Sequence, residues 1–172
     1  MKKNFSKIQN FTLIELVVVI AIIAITTTIA AVQLNLNSSR NVINSASRDI
    51  VNIFHSGRVM ALNGNPKIVL VAAVYRERNL IFILQKEQKI MKKLILSKKI
   101  TFTTNAEKKD FAKNVKYEVI NSPLYDVLAV WKFYKDGKIA GESFNINAAA
   151  FKKMLQISNL TGVVTVHDQT AK

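Results

Sequence analysis

The chain has 172 residues, which suits one small domain with an additional segment, because folded domains mostly contain about 100 to 200 residues. Lys and Arg outnumber Asp and Glu 25 to 11, and the net charge of +14 predicts attraction to anionic lipid, acidic proteins or nucleic acid. The chain has no cysteine, which excludes disulfides, cysteine-ligated zinc and thiol catalysis.

The first predicted element is an N-terminal helix that begins with an apolar stretch. Residues 11–34 carry a single charge, at Glu15. Twenty-four helical residues measure about 36 Å, enough to cross a hydrocarbon core of about 30 Å. Residues 1–10 form a basic leader without an acidic residue, so the positive-inside rule predicts a cytoplasmic N-terminus and an exported remainder.

The helical pattern continues through residues 35–64 in amphipathic form. Leu36, Ile43 and Ile50 recur every seven residues, which is typical of one apolar face. The helix is expected to end near Leu62, because the following "NGNP" supplies a Gly for a left-handed cap and a Pro that prevents continuation.

Glu15 stands at the start of this helix and has two explanations. Thr12 and Glu15 have the T-x-x-E spacing of a capping box, and a negative charge in the first turn suits the helix dipole. A water molecule or a neutral side chain would also cap the helix, however. A carboxylate inside an apolar run is usually functional.

Residues 67–172 are predicted to form a β-rich head. Short apolar or β-branched runs alternate with polar turns, which favours antiparallel strands. The predicted strands include "KIVLVAAVY", "NLIFILQ", "KLILS", "KITFTT", "VKYEVIN" and "VLAVWKFY", and the segments "LQIS" and "VVTVHD" form a final hairpin. The expected fold class is α+β, with the long helix packed on an antiparallel head.

The stretch "FTLIELVVVIAIIAI" resembles the N-terminal signature of the type IV pilin superfamily. The resemblance implies a pilin-like fold, cleavage by a prepilin peptidase between Asn10 and Phe11, and N-methylation of Phe11. It also implies that Glu15 pairs with the N-terminal amine of a neighbouring subunit in a filament. Asn10 stands where the family usually has Gly, and its side chain predicts slower cleavage or none.

The segment "SASRDIVNIFHSGRVMALNGNPKIVLV" and the final hairpin are most similar to the H-type minor pseudopilins of type II secretion and their FimT-like relatives. This implies a non-enzymatic subunit of a pseudopilus or a type IV pilus, anchored in the bacterial inner membrane with its head in the periplasm or outside the cell. The implied partners are other pilins, the prepilin peptidase, an inner-membrane assembly platform and membrane lipid. No cofactor, metal or catalytic residue is expected.

Two alternatives remain open. Lys92, Lys93, Lys98 and Lys99 could contact DNA phosphates, as in a FimT-like competence pilin. Arg and stacking aromatic residues are scarce around these lysines, however, and a solvated face that protects a sheet edge is favoured instead. The other alternative is a membrane-anchored β-domain that never polymerises because Asn10 blocks processing.

Overall fold

A computed structural model describes residues 12–63, 68–104 and 125–169, with only the backbone for 29–32 and 34–37. Helix α1 covers Leu13–Leu62. Nine strands follow: β1 (Val69–Arg76), β2 (Asn79–Lys86), β3 (Lys89–Ile95), β4 (Thr101–Thr104), β5 (Asp126–Phe133), β6 (Ile139–Ala140), β7 (Phe144–Ala148), β8 (Phe151–Ile157) and β9 (Val164–Gln169). The chain divides into two compact units, residues 1–37 and 38–172.

The C-terminal part of α1 packs on the sheets of the second unit. Ile43, Ile50 and Phe54 are completely or almost completely buried, while His55, next to Phe54, is exposed. The buried positions are seven and four residues apart, which places them on one helix face. The helix ends at Leu62, as predicted, and the Gly and Pro expected to stop it lie outside the described residues.

The larger sheet has five strands in the order β3-β2-β1-β5-β6, and all of its neighbours are antiparallel. Strands β1 to β3 form the meander that the sequence predicts. Both faces of β1 and β2 are buried, so these strands are continuous apolar runs and do not alternate. One face joins the main core, and the other forms a smaller cluster around Leu70, Ala72 and Ile83.

The smaller sheet has four antiparallel strands in the order β4-β7-β8-β9. Strand β7 alternates between buried and half-buried residues, as expected for a strand with one face on the core. The predicted final hairpin is confirmed as the β8–β9 pair, in which Leu155 lies opposite Val166. The predicted strand "VKYEVIN" lies outside the described residues.

The main core combines side chains from α1 and both sheets. Phe54 of α1, Trp131 of β5 and Phe144 of β7 are in mutual contact, with ring centroids 4.8–6.1 Å apart. The indole N–H of Trp131 donates to the carbonyl oxygen of Glu142 at 2.8 Å, which satisfies the polar atom of this buried ring. The aromatic cluster therefore ties the helix to both sheets.

The predicted fold class, a pilin-like α+β fold in which one long helix with a membrane half and an amphipathic half packs on the head, is wrong. Strands make up 44% of the residues whose side chains the structure describes, and their pairings are antiparallel. Helical residues 13–37 and 38–62 belong to different compact units, and the described core takes its helical side chains from residues 42–61. Across the ranges that the structure describes, no helix is sufficiently long and apolar to cross a membrane.

The seven-residue period of Leu36, Ile43 and Ile50 favours a helix whose amphipathic half packs on the head. A sequence period shows which residues share a helix face, but it does not show where that face meets a core. The main core that the structure describes includes Val42 and Ile43 at the N-terminal end of its helical part. The predicted segment boundaries at residues 10, 34 and 64 stay predictions.

Candidate functional site: the N-terminal segment and the charged surfaces

Thr12 and Glu15 form the capping box predicted at the start of α1. Glu15 Oε2 accepts hydrogen bonds from the backbone N–H and the hydroxyl of Thr12, both at 3.0 Å. The backbone N–H of Glu15 in turn donates to Thr12 Oγ1 at 3.3 Å. Two donors at the helix terminus are thus satisfied reciprocally, and the carboxylate is held beside the first turn.

The N-terminal turns of α1, residues 13–25, expose apolar side chains on all sides of the helix. Ten large residues between Leu13 and Ile25 are exposed, from 44% at Val19 to 82% at Leu13. A helix that is apolar all round normally contacts protein or lipid on all sides. Such a surface is far larger than the isolated apolar residues found on most soluble monomers, and it indicates an interaction site.

The two predicted processing residues, Asn10 and Phe11, lie outside the described residues. Thr12 is the first residue described, and its backbone N–H is already used by Glu15. Cleavage before Phe11 would leave a new amine one peptide bond from Thr12 and four from Glu15. The resemblance implies that Glu15 pairs with the amine of a neighbouring subunit, and that role stays a prediction.

The four lysines proposed for DNA contact lie on strand β3 and in the turn before β4. Lys92 and Lys93 are consecutive residues of edge strand β3, and they lie opposite Leu84 and Ile83 respectively. Because consecutive strand residues point to opposite faces, these two side chains diverge. The other two, Lys98 and Lys99, lie in the turn before β4 and are exposed. Lysines at the edge of a sheet are typical of protection against strand pairing.

The two histidines are far from the arrangement that catalysis or metal binding requires. His55 is exposed on α1, and His167 on β9 contacts Thr165 at 3.1 Å. Asp168, next to His167, instead pairs with Lys153. Residues described by the structure contain no group of three or more His, Asp or Glu side chains that could hold a metal ion.

The sequence analysis did not predict the cationic cluster that surrounds Tyr125. Arg76 and Lys93 lie over its ring at 5.8 and 6.0 Å from the centroid, and Lys93 Nζ donates to the phenol oxygen at 3.3 Å. Partial burial raises the pKa of Tyr125, but hydrogen bonds from Lys93 and Arg76 outweigh it and bring the pKa below 10.0. The three residues come from β1, β3 and the start of β5, so no local spacing could reveal the cluster.

A groove between α1 and the β8–β9 hairpin was also missed. Arg40 and Asn44 of the helix line it on one side, and Lys153 and Asp168 line it on the other. Lys153 Nζ lies 2.7 Å from Asp168 Oδ1, and this ion pair, with a smaller contribution from Arg40, lowers the pKa of Asp168 below 3.8. In the sequence, the spacing of four residues between Arg40, Asn44 and Arg48 indicates a polar helix face, and this spacing was the one available sign of the groove.

Comparisons with known proteins give no relative for this chain, since no family model, curated protein or solved structure matches it.

Proposed function

We propose that the chain is a non-enzymatic minor subunit of a type II secretion pseudopilus or a type IV pilus, and that it assembles through its N-terminal apolar segment. The observation that carries the proposal is the combination of a charged cap at Glu15 with exposed apolar side chains on all sides of residues 13–25. This segment needs contacts that the rest of the described chain does not supply.

The position of Glu15 adds physical support. A carboxylate at the end of an apolar surface loses hydration when that surface is covered, and an unpaired buried charge is strongly unfavourable. A cationic partner would offset that loss. In the proposal the partner is the N-terminal amine of a neighbouring subunit, produced by the prepilin peptidase before Phe11, so the pair forms only when subunits are in register.

In this proposal the subunit resides in the bacterial inner membrane before assembly, with its N-terminus in the cytoplasm and its head in the periplasm or outside the cell. The assembly platform then moves residues 11–34 from lipid into the filament, where other pilins replace lipid as neighbours. Residues of the β-rich unit would lie on the outside. DNA binding has less support, because Lys92 and Lys93 point to opposite faces of β3.

Site-specific crosslinking in cells tests the proposal. The natural chain has no cysteine, so Ile20→Cys introduces a single thiol on the exposed apolar segment. We expect crosslinks to companion pilins that require both the peptidase and the assembly platform. Lys92→Cys, on edge strand β3, is the matched control and should give none of these products.

Two results would contradict the proposal. Crosslinks at residue 20 that persist without the assembly platform would indicate association in the membrane alone. No crosslinks at equal abundance of the protein would favour the β-domain that never polymerises.

A further inference from the structure

Among the strands that the structure describes, β9 lies at an edge of the smaller sheet. It pairs with β8 on one side, and none of the described strands pairs with its other side. Residues Thr165 to Asp168 are exposed. An edge strand presents unpaired N–H and C=O groups, which can accept an additional strand from another polypeptide.

The other edges are less suitable for pairing. Edge strand β3 carries Lys89, Lys92 and Lys93, which discourage strand addition. Strand β6 has two residues and β4 has four. Strand β9 has six residues and no lysine, and its one acidic side chain, Asp168, is already engaged by Lys153.

A groove runs beside this open edge, between the hairpin and α1. Its two adjoining cavities have volumes of about 570 and 580 Å³ and share Asn44 and Lys153 in their walls. The first cavity lies between Arg40 and the end of β9 at Asp168, and the second lies between Arg48 and Val166. The groove therefore runs along both β9 and α1, and the chain directions of these two elements are opposite.

The groove is strongly basic. Its walls include Arg40, Arg48, Lys152 and Lys153, against the single carboxylate of Asp168. Lys153 is neutralised by Asp168, and its side chain is only 14% exposed. The ion pairs seen within the described ranges do not include Arg40, Arg48 or Lys152, although the charge of Arg40 also acts on Asp168. Arg40 and Arg48 belong to exposed residues. Four cations against one carboxylate thus leave a net positive charge that attracts an acidic occupant.

The spacing of these cations matches an extended chain. Arg40 and Arg48 are eight residues apart on one helix face, which corresponds to about 12 Å along the axis. Residues i and i+4 of a β-strand share a face and are about 13 Å apart. A strand beside β9 would therefore present acidic residues four positions apart to Arg40 and Arg48, while its backbone pairs with the edge.

We propose that this groove binds an extended acidic segment of another protein, which adds to the smaller sheet as a fifth strand beside β9. Backbone hydrogen bonds would supply affinity, and the two arginines would select acidic side chains and fix the register. The inference does not rest on the filament proposal, because every residue it uses lies in the unit of residues 38–172.

The test uses the full chain in mild detergent and a fluorescent decapeptide of alternating threonine and valine that carries two glutamates four residues apart. Fluorescence anisotropy measures the dissociation constant. We expect binding to weaken about tenfold when both glutamates become glutamine, because the two exposed arginines then lose their ionised hydrogen-bond acceptors. Two further peptides are N-methylated on alternate amides, one on the odd positions and one on the even positions. Only one of these two sets of amides can pair with β9. Methylation of that set should abolish binding, and methylation of the other set should not.

Protein variants give an independent test. Arg40→Gln and Arg48→Gln should each weaken binding of the glutamate peptide and leave the glutamine peptide almost unaffected. Lys92→Gln removes the same charge from the distant β3 edge and should have no effect. Equal affinity for both peptides, or tolerance of both methylation patterns, would overturn the proposal.

Two further outcomes would also overturn it. Displacement of the peptide by a single-stranded oligonucleotide of equal charge would indicate a phosphate-binding surface instead. Sedimentation could also show a dimer of the chain that dissociates when the peptide is added. That result would indicate that β9 of a second copy is the natural occupant.

Discussion

Phe54 of α1 lies edge to face against Trp131 of β5, with ring centroids 5.0 Å apart and planes inclined by 64°. Both residues are almost completely buried, and Phe54 also contacts Phe133 and Phe144 at 5.9 and 6.1 Å. One helical side chain thus meets aromatic rings from both sheets. We infer that Phe54 holds the helix on the β-rich unit.

Replacing Phe54 with alanine should lower the free energy of unfolding by about 3 to 5 kcal/mol, because it leaves a cavity in a packed aromatic core. Urea unfolding followed by circular dichroism measures this change. His55→Ala, one residue along on the exposed face, should change stability by less than about 0.5 kcal/mol. A similar loss for both variants would contradict a specific contribution from the buried contacts of Phe54, because alanine favours the helix at both positions.

Gly162 is expected to tolerate alanine much less well than Gly137. Both have positive φ, at 66° and 83°, so both substitutions carry a backbone cost of about 1 to 2 kcal/mol. A Cβ atom at Gly162 would also clash with the carbonyl oxygen of Gly137, whereas at Gly137 its nearest neighbour is Leu62 at 3.5 Å. In thermal unfolding, Gly162→Ala should therefore melt at a clearly lower temperature than Gly137→Ala. Equal melting temperatures would contradict the close packing of these two turns.

The ion pair between Lys153 and Asp168 should make stability depend on acid pH. The hydrogen bond and charge of Lys153 hold the pKa of Asp168 below its ordinary value of 3.8. A lowered carboxyl pKa contributes stability above pH 3.8, and this contribution disappears as the pH falls through the lower pKa of the folded state. Asp168→Asn should therefore flatten the stability profile below about pH 4, measured by urea midpoints, and leave its shape near pH 7 unchanged.

Residues 38–172 should fold without the first 37 residues. Residues 38–172 form a compact unit, and the described core uses side chains only from this unit. A fragment that begins at Ser38 should be monomeric by sizing and should show cooperative thermal unfolding. An aggregated or non-cooperative product would show that the β-rich unit depends on the N-terminal segment.

Several local features could be predicted because their cause is local in sequence. The Thr12–Glu15 cap follows from a spacing of three residues, the helix end at Leu62 from the residues after it, and the β8–β9 hairpin from two apolar runs around a turn. Each depends on backbone geometry that neighbouring residues determine.

Features that depend on distant residues could not be predicted. The division of the strands into two sheets depends on β1 pairing with β5, across more than 50 positions of sequence. The groove beside β9 requires Arg40 to face Asp168, which no periodicity reveals. Lys92 and Lys93 are consecutive residues of β3, so their side chains point to opposite faces of the sheet.

The most direct test of filament assembly is the effect of Glu15→Gln on crosslinking through Ile20→Cys. Glutamine can retain the cap with Thr12, but it cannot pair with an ammonium group. If Glu15 pairs with a neighbouring amine, the cost of leaving that amine unpaired is about 3 to 5 kcal/mol, so crosslinks to companion pilins should be largely lost at equal membrane abundance. Thr12→Val, which weakens the cap and keeps the carboxylate, should retain them. Unchanged crosslinking in Glu15→Gln would contradict the account and leave helix capping as the sufficient role of this residue.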